Sequence, residues 1–224
     1  MKSFSKWTTE EVEDEFQLVC QPESQAFQDW LQVSTEISSE EASFLHQLSR
    51  KLRYSVRDWN EEELKIYFIA LLLDKIDFYQ EQYRPFMERE LSVEYDENKK
   101  LWGFIDFLVA QGKHSPKQSF FFIHEYKKEL DSSNDPLGQL LVEMVAAQKL
   151  NQHQHPIYGA YIIGRHWYFV ILEASSYSES LAYDATKDDI INIFCILRQT
   201  KAFIEQLIID SKHCVVQERG NEPR

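Results

Sequence analysis

Asp106 lies between Ile105 and Phe107 inside the apolar run 102–110, and Glu125 and Lys127 follow a second apolar run, 120–123. Both runs read as buried strands, and residues 111–119, with Gly112 and Pro116, read as the turn between them. A charge inside a buried strand is costly unless it is paired or holds a metal. Strand side chains alternate faces with a period of two, so Phe121, Ile123, Glu125 and Lys127 share one face, and Glu125 projects beside Lys127. Pairing the two strands as a hairpin can bring Asp106 to the same place. Two carboxylates and an ammonium suit a hard divalent cation with oxygen ligands beside a cationic group. The same residues could instead be a carboxylate on a solvated strand end and an ordinary same-face ion pair, which contributes little at a surface.

The flanking elements must hold these strands. Residues 1–58 are acidic and helix-prone: Thr9 precedes 10–18, Ser24 precedes 25–33, and Ser38 or Ser39 precedes 40–52, each an N-cap type followed by acidic or amide residues. Apolar stripes through Phe27, Trp30, Leu31, Phe44, Leu45, Leu48 and Leu52 predict that these helices dock. Asn60 opens a strongly amphipathic helix from 61 to about 80. A short strand at 90–95 turns back at 96–99 into the Asp106 strand. Asp135 before Pro136 predicts an N-cap and a helix over 136–150, with Leu137, Leu140, Leu141, Met144 and Val145 inward and Gln139 off the centre of that face. Strands at 158–163 and 167–172, a short one at 181–184 and a helix over 187–211 complete the order. The expectation is an N-terminal helical extension (1–58), a layered α/β (α+β) domain with a mixed central sheet flanked by helices (59–212), and a polar tail (213–224).

The helix from Glu61, the strands carrying Asp106 and Glu125-Tyr126-Lys127, and the helix carrying Gln139 follow the order αβββαβ over roughly residues 60–172. In this the chain resembles the PD-(D/E)XK nuclease superfamily, in a branch of uncharacterised bacterial proteins. Gly103-Phe104-Ile105-Asp106 resembles the family's aspartate motif, with Ile105 where the eponymous proline would stand, and Glu125-Tyr126-Lys127 resembles its Glu-x-Lys. Gln139 resembles the glutamine that some branches carry on the following helix, and Glu63 takes the place of the acidic residue on the first core helix. The resemblance implies a restriction-endonuclease-like fold and Mg²⁺- or Mn²⁺-dependent hydrolysis of nucleic-acid phosphodiesters, DNA rather than RNA, in restriction, defence or repair. It implies that Asp106, Glu125 and the backbone carbonyl of Tyr126 hold the ion, and that Lys127 positions or deprotonates a water or stabilises the transition state. Glu63 would complete the metal site through water, and Gln139 would orient Lys127 or the substrate. Many nucleases of this type cut two strands as dimers, so a homodimer is among the expected assemblies. The alternative is a catalytically inactive protein of the same fold, serving as a binding or assembly subunit.

Other features have plainer readings. Glu63 also completes an N-cap arrangement with Asn60 that needs no function. His153 and His155 lack a third ligand and read as solvated loop, and His124 alternates to the face opposite Glu125, where it would be packed. Trp167, Tyr168 and Phe169 read as core. Lys113, His114 and Lys117, with Lys128 and Arg165, could form a basic rim or simply a solvated loop. A net charge of −13, from 24 Lys and Arg against 37 Asp and Glu, argues against a broad basic nucleic-acid surface; a carboxylate site would carry part of the attraction on its ion. Cys20, Cys195 and Cys214 have no metal-site or disulfide spacing and fit a reducing, cytoplasmic setting. No run is long and apolar enough to span a bilayer, and no organic-cofactor motif is present.

Overall fold

The computed structural model describes residues 2–97, 99–128, 135–152 and 155–220, without the side chains of 118, 119 and 211–220. Residues 98, 131–134, 153 and 221–224, on which the sequence places part of a turn, the loop before Pro136, one loop histidine and the end of the tail, lie outside the described residues, as does the side chain of Cys214. The elements, in order, are α1 (Thr9–Phe16), β1 (Val19–Cys20), α2 (Gln25–Leu31), α3 (Ser39–Ser55), α4 (Glu61–Leu64), a π-helical stretch Lys65–Ile69 and α5 (Ala70–Ile76). They continue with β2 (Arg84–Asp96), β3 (Lys99–Gln111), β4 (Lys117–Lys127), α6 (Pro136–Leu150), β5 (Ile157–Ile163), β6 (His166–Glu173), β7 (Ser176–Glu179), β8 (Tyr183–Asp184) and α7 (Asp189–Gly220). Helix starts fall where side-chain oxygens can take the first orphan amides: Thr8, Ser24, Ser38, Asn60 and Asp135 each accept a backbone N–H from three residues on.

The strands form one mixed sheet in the order β1-β7-β6-β5-β4-β3-β2, with β8 beside β6. The β4/β5 and β1/β7 pairs are parallel and the others antiparallel. Helices cover both faces. Phe27, Trp30, Leu45, Phe68, Phe107, Phe122, Trp167 and Ile193 make one core; Phe4, Val12, Leu91, Ile105, Ile123, Leu141 and Val145 make the other. The chain is therefore a mixed α/β protein of three layers.

Several features depart from the sequence expectation, among them the end of the 61–80 helix at Ile76 and the added strand β7. β2 is far longer than 90–95 and has Pro85 near its start, which an outermost strand tolerates because it has a ladder on one side only. The helices of 1–58 dock into both cores, as their apolar stripes predict, but the extension also carries a strand, β1, which pairs with β7 at the far edge of the sheet. α7 continues as helix to Gly220, past the expected end at 211.

The β2/β3 pair also loses step in its side-chain alternation. Leu101 and Ile105 face the second core, Phe107 and Val109 the first, and Leu108 and Ala110 the second again. Opposite, Leu91 and Phe86 face the same core although their spacing is odd. The register holds across the change, Met87↔Phe107 and Arg89↔Ile105. The residues between these pairs, Glu88 and Asp106, absorb it, Glu88 with a φ of +50°.

Candidate active site

The sheet forks at Asp106. β3 and β4 pair from Gln111↔Lys117 to Phe107↔His124 and then part. β4 continues beside β5 as far as Lys127↔Ile163, and β3 continues beside β2 to Lys99. Asp106 is the first residue past the last pair, and its Oδ2 accepts the backbone N–H of Tyr126 at 3.1 Å, a donor the departing strand no longer serves. Its Oδ1 accepts from Lys65 Nζ at 3.0 Å.

Lys65 opens the π-helical stretch, a local widening of the helix that is common at functional positions. Its side chain is 6 % exposed, and its ammonium also lies 3.1 Å from Glu88, 3.2 Å from Glu62 and 3.3 Å from Glu61. Burial by itself would lower its pKa, but Asp106, Glu88 and Glu61 more than offset that and hold it above the ordinary lysine range.

On the other side of β4, Glu125 and Lys127 stand together as the period of two requires. Lys127 Nζ donates to Glu125 Oε1, and among the described residues Glu125 Oε2 has no hydrogen-bond partner. Burial, and then the charge of Asp106, push the Glu125 pKa up to about 8 against the pull of Lys127. Burial would lower the Lys127 pKa, but Glu125 more than offsets this and raises it. Facing them from α6, Gln139 Nε2 donates to Glu143 Oε1 at 3.1 Å, while Gln139 Oε1 and Glu143 Oε2 are buried without hydrogen-bond partners among the described residues. Burial and the charge of Glu125 hold the Glu143 carboxyl well above the usual range.

The chemistry of the site is thus oxygen-rich and short of compensating charge, which is the donor chemistry that Mg²⁺ or Mn²⁺ takes. Among the described residues, no three His, Cys, Asp or Glu side chains gather as a metal-holding group. A cavity of about 280 Å³ opens beside Lys65 and Tyr126, lined also by Phe78, Tyr79, Met87 and Phe107.

No protein-family model matches the chain, and a search of curated proteins finds no match.

Of the residues singled out by sequence, Asp106, Glu125, Lys127 and Gln139 come together at the end of β4. Gln139 is 6 % exposed, because α6 is buried on nearly all sides between the sheet and the N-terminal elements. Tyr126 is a ladder residue opposite Ile162, the centre of its ring lies 5.7 Å from the Lys65 ammonium, and its hydroxyl reaches His124, whose Nδ1 lies 3.1 Å away. The Glu63 carboxylate accepts the backbone N–H of Asn60 at 2.9 Å, closing the capping box. Glu61 and Glu62 are the acids of that turn that reach Lys65, and Glu61 also bears on Glu125. Lys113, His114 and Lys117 lie at the hairpin end of β3 and β4, and eight residues of strand at roughly 3.3 Å each separate Lys117 from Glu125. They do not rim this site. His155 stacks on Phe121, and His124 is enclosed by Phe107, Phe122 and Trp167.

The sequence reading missed Lys65, Glu61, Glu88 and Glu143. Only Glu143 carries a local signal: it is the lone acid in the otherwise apolar run 140–147. Among the described residues, no helix is long and apolar enough to cross a membrane.

Proposed function

We propose that the chain is a metal-dependent phosphodiesterase of nucleic acids, DNA before RNA, of the PD-(D/E)XK type. The observation that carries this reading is the buried Glu125–Lys127 pair lying against Asp106 at the fork between β3 and β4. The order helix, three antiparallel strands, helix, and a strand parallel to the third supports it too. Glu125 is the residue that would hold Mg²⁺ or Mn²⁺, and Asp106 would join it on release from Lys65. The ion would supply activation of a water and neutralisation of charge developing on the phosphate. Lys127, anchored by Glu125 Oε1, would position that water or stabilise the transition state, and Asp106 would keep the neighbouring Tyr126 peptide oriented.

A second reading, a catalytically inactive binding or assembly subunit, is favoured by one observation: both oxygens of Asp106 are already engaged, by Lys65 and by the Tyr126 N–H. The test is cleavage of single- and double-stranded DNA and of RNA with Mg²⁺ or Mn²⁺, comparing the wild-type chain with Lys127→Ala and Asp106→Ala. The nuclease reading expects cleavage by the wild type and a loss of about 100-fold or more in each variant. Equal cleavage by all three would point to a contaminant. No cleavage, with DNA retained in a gel-shift assay, would select the binding subunit.

A further inference from the structure

Counting oxygens around the fork gives an uneven result. Asp106 has none to spare, since Oδ1 takes the Lys65 ammonium and Oδ2 takes the Tyr126 N–H. Glu125 has one engaged, by Lys127, and one free. Gln139 and Glu143 bond to each other through one atom apiece, and each keeps one oxygen free. The three free oxygens belong to side chains that are 1 %, 6 % and 0 % exposed, so water does not account for them as it would at a surface. A buried carboxylate oxygen without a partner costs the full desolvation of that atom. A single proton shared between Glu125 and Glu143 would serve their two free oxygens but would leave the amide oxygen of Gln139, which is neutral and takes up no proton, still unpartnered. Its amide is already oriented by donation to Glu143, which leaves the oxygen as the available end.

We propose that Glu125, Glu143 and the amide oxygen of Gln139 form a binding site for a divalent cation, with Asp106 outside its inner ligands. This rests on the reading of the region as a metal-dependent site and changes where the ion sits: on the α6 side of β4, not between the two strands of the fork. Two carboxylates and one neutral oxygen leave coordination positions for water or a phosphate oxygen, as Mg²⁺ requires of a site that acts on a phosphodiester. Lys127, on the other oxygen of Glu125, then stands next to the ion without competing for it. Lys65 keeps Asp106 neutralised, so that Asp106 serves to position the strand and tune Glu125.

The test is Mn²⁺ binding, read by loss of the free-ion paramagnetic resonance signal, for the wild-type chain and the variants Glu143→Gln, Gln139→Leu and Asp106→Asn. Indirect partners of a metal are worth about 10- to 100-fold in affinity, so removing a direct ligand should cost at least that. Glu143→Gln should weaken binding at least about 10-fold, Gln139→Leu should weaken it measurably, and Asp106→Asn should cost less than Glu143→Gln. Glu143→Gln keeps the size of the side chain and removes only a carboxyl whose ionisation burial already opposes, so it should fold about as stably as the wild type, which a urea titration without metal checks. Undiminished binding in Glu143→Gln together with its loss in Asp106→Asn would place the ion in the fork, overturning this site and leaving the phosphodiesterase reading intact. Wild-type affinity in both Glu143→Gln and Gln139→Leu would also overturn it and assign the two free carboxylate oxygens to a proton shared between Glu125 and Glu143. No binding by the wild type would remove the cation site, while the cleavage assay separately decides the function.

Discussion

At the residue scale, the buried polar groups divide into those that compensate one another and those that do not. Lys65 is surrounded by acids, and Glu125 has Lys127, but among the described residues His124 has the Tyr126 hydroxyl on one nitrogen and no partner on the other. Its enclosure by Phe107, Phe122 and Trp167 pushes its pKa down to about 3 from an ordinary 6.5, through burial alone. Between those values the unfolded chain binds a proton that the folded chain does not. The contribution of His124 is therefore complete above pH 6.5 and is lost as pH falls toward 3. Going from pH 6.5 to 4.5 in metal-free buffer, His124→Phe should lose about 2 kcal/mol less stability than the wild type, measured by urea titration at each pH. The raised carboxyls of Glu125 and Glu143 act with the opposite sign over this range, but equally in both chains, and the lowered ones of Glu11, Glu15 and Glu41 act below 4.5. Parallel pH curves for the two chains would contradict this account. That His124 faces away from Glu125 was legible from the period of two; the aromatic enclosure was not, because Trp167 comes from β6 and is far away in sequence.

At the element scale, α6 is the piece on which the site depends. Asp135 caps it by accepting the Gly138 N–H at 2.9 Å, and the same carboxylate accepts the backbone N–H of Thr9 at 2.6 Å and the Thr9 hydroxyl at 3.0 Å. One side chain thus starts α6 and ties α1 to it. Gly138 permits the contact: a Cβ there would lie 2.4 Å from the Thr8 carbonyl carbon and the Thr9 nitrogen, which are backbone atoms that cannot swing aside. Gly138→Ala should lower stability by about 1–3 kcal/mol, as overpacking does, read as a shift in the urea midpoint. A midpoint equal to that of the wild type would show that α1 does not bear on α6 in solution. The start of α6 was readable from Asp135-Pro136, since the cap and the fixed φ of proline are local properties. Its burial on nearly all sides was not readable, because the second layer that covers it comes from residues 4–18.

At the scale of the whole molecule, the N-terminal residues behave as part of the fold. Trp30 is fully buried and donates its indole N–H to the Thr200 hydroxyl on α7 at 2.9 Å, and β1 extends the sheet beyond β7. A chain beginning at residue 59 would uncover Tyr158 and Phe169, which Trp30 packs against edge-on, and would lose Phe4, Val12 and Leu18 from the second core. It should show no cooperative urea transition by circular dichroism. A sharp transition like that of the full chain would mean that residues 59–212 fold independently.

Period-two alternation, N-cap chemistry and the Asp-Pro helix start act over a few residues, and they placed Glu125 beside Lys127 and set the main helices and strands from the amino-acid sequence alone. Lys65, Glu88 and Glu143 reach the site from a π-helical stretch, an edge strand and a buried helix, and no local pattern relates them to one another. Where β3 parts from β4, and therefore which oxygens remain free, depends on two strands changing face together at Glu88 and Asp106. That change is a property of their pairing and twist in the sheet, so only the tertiary structure could decide it.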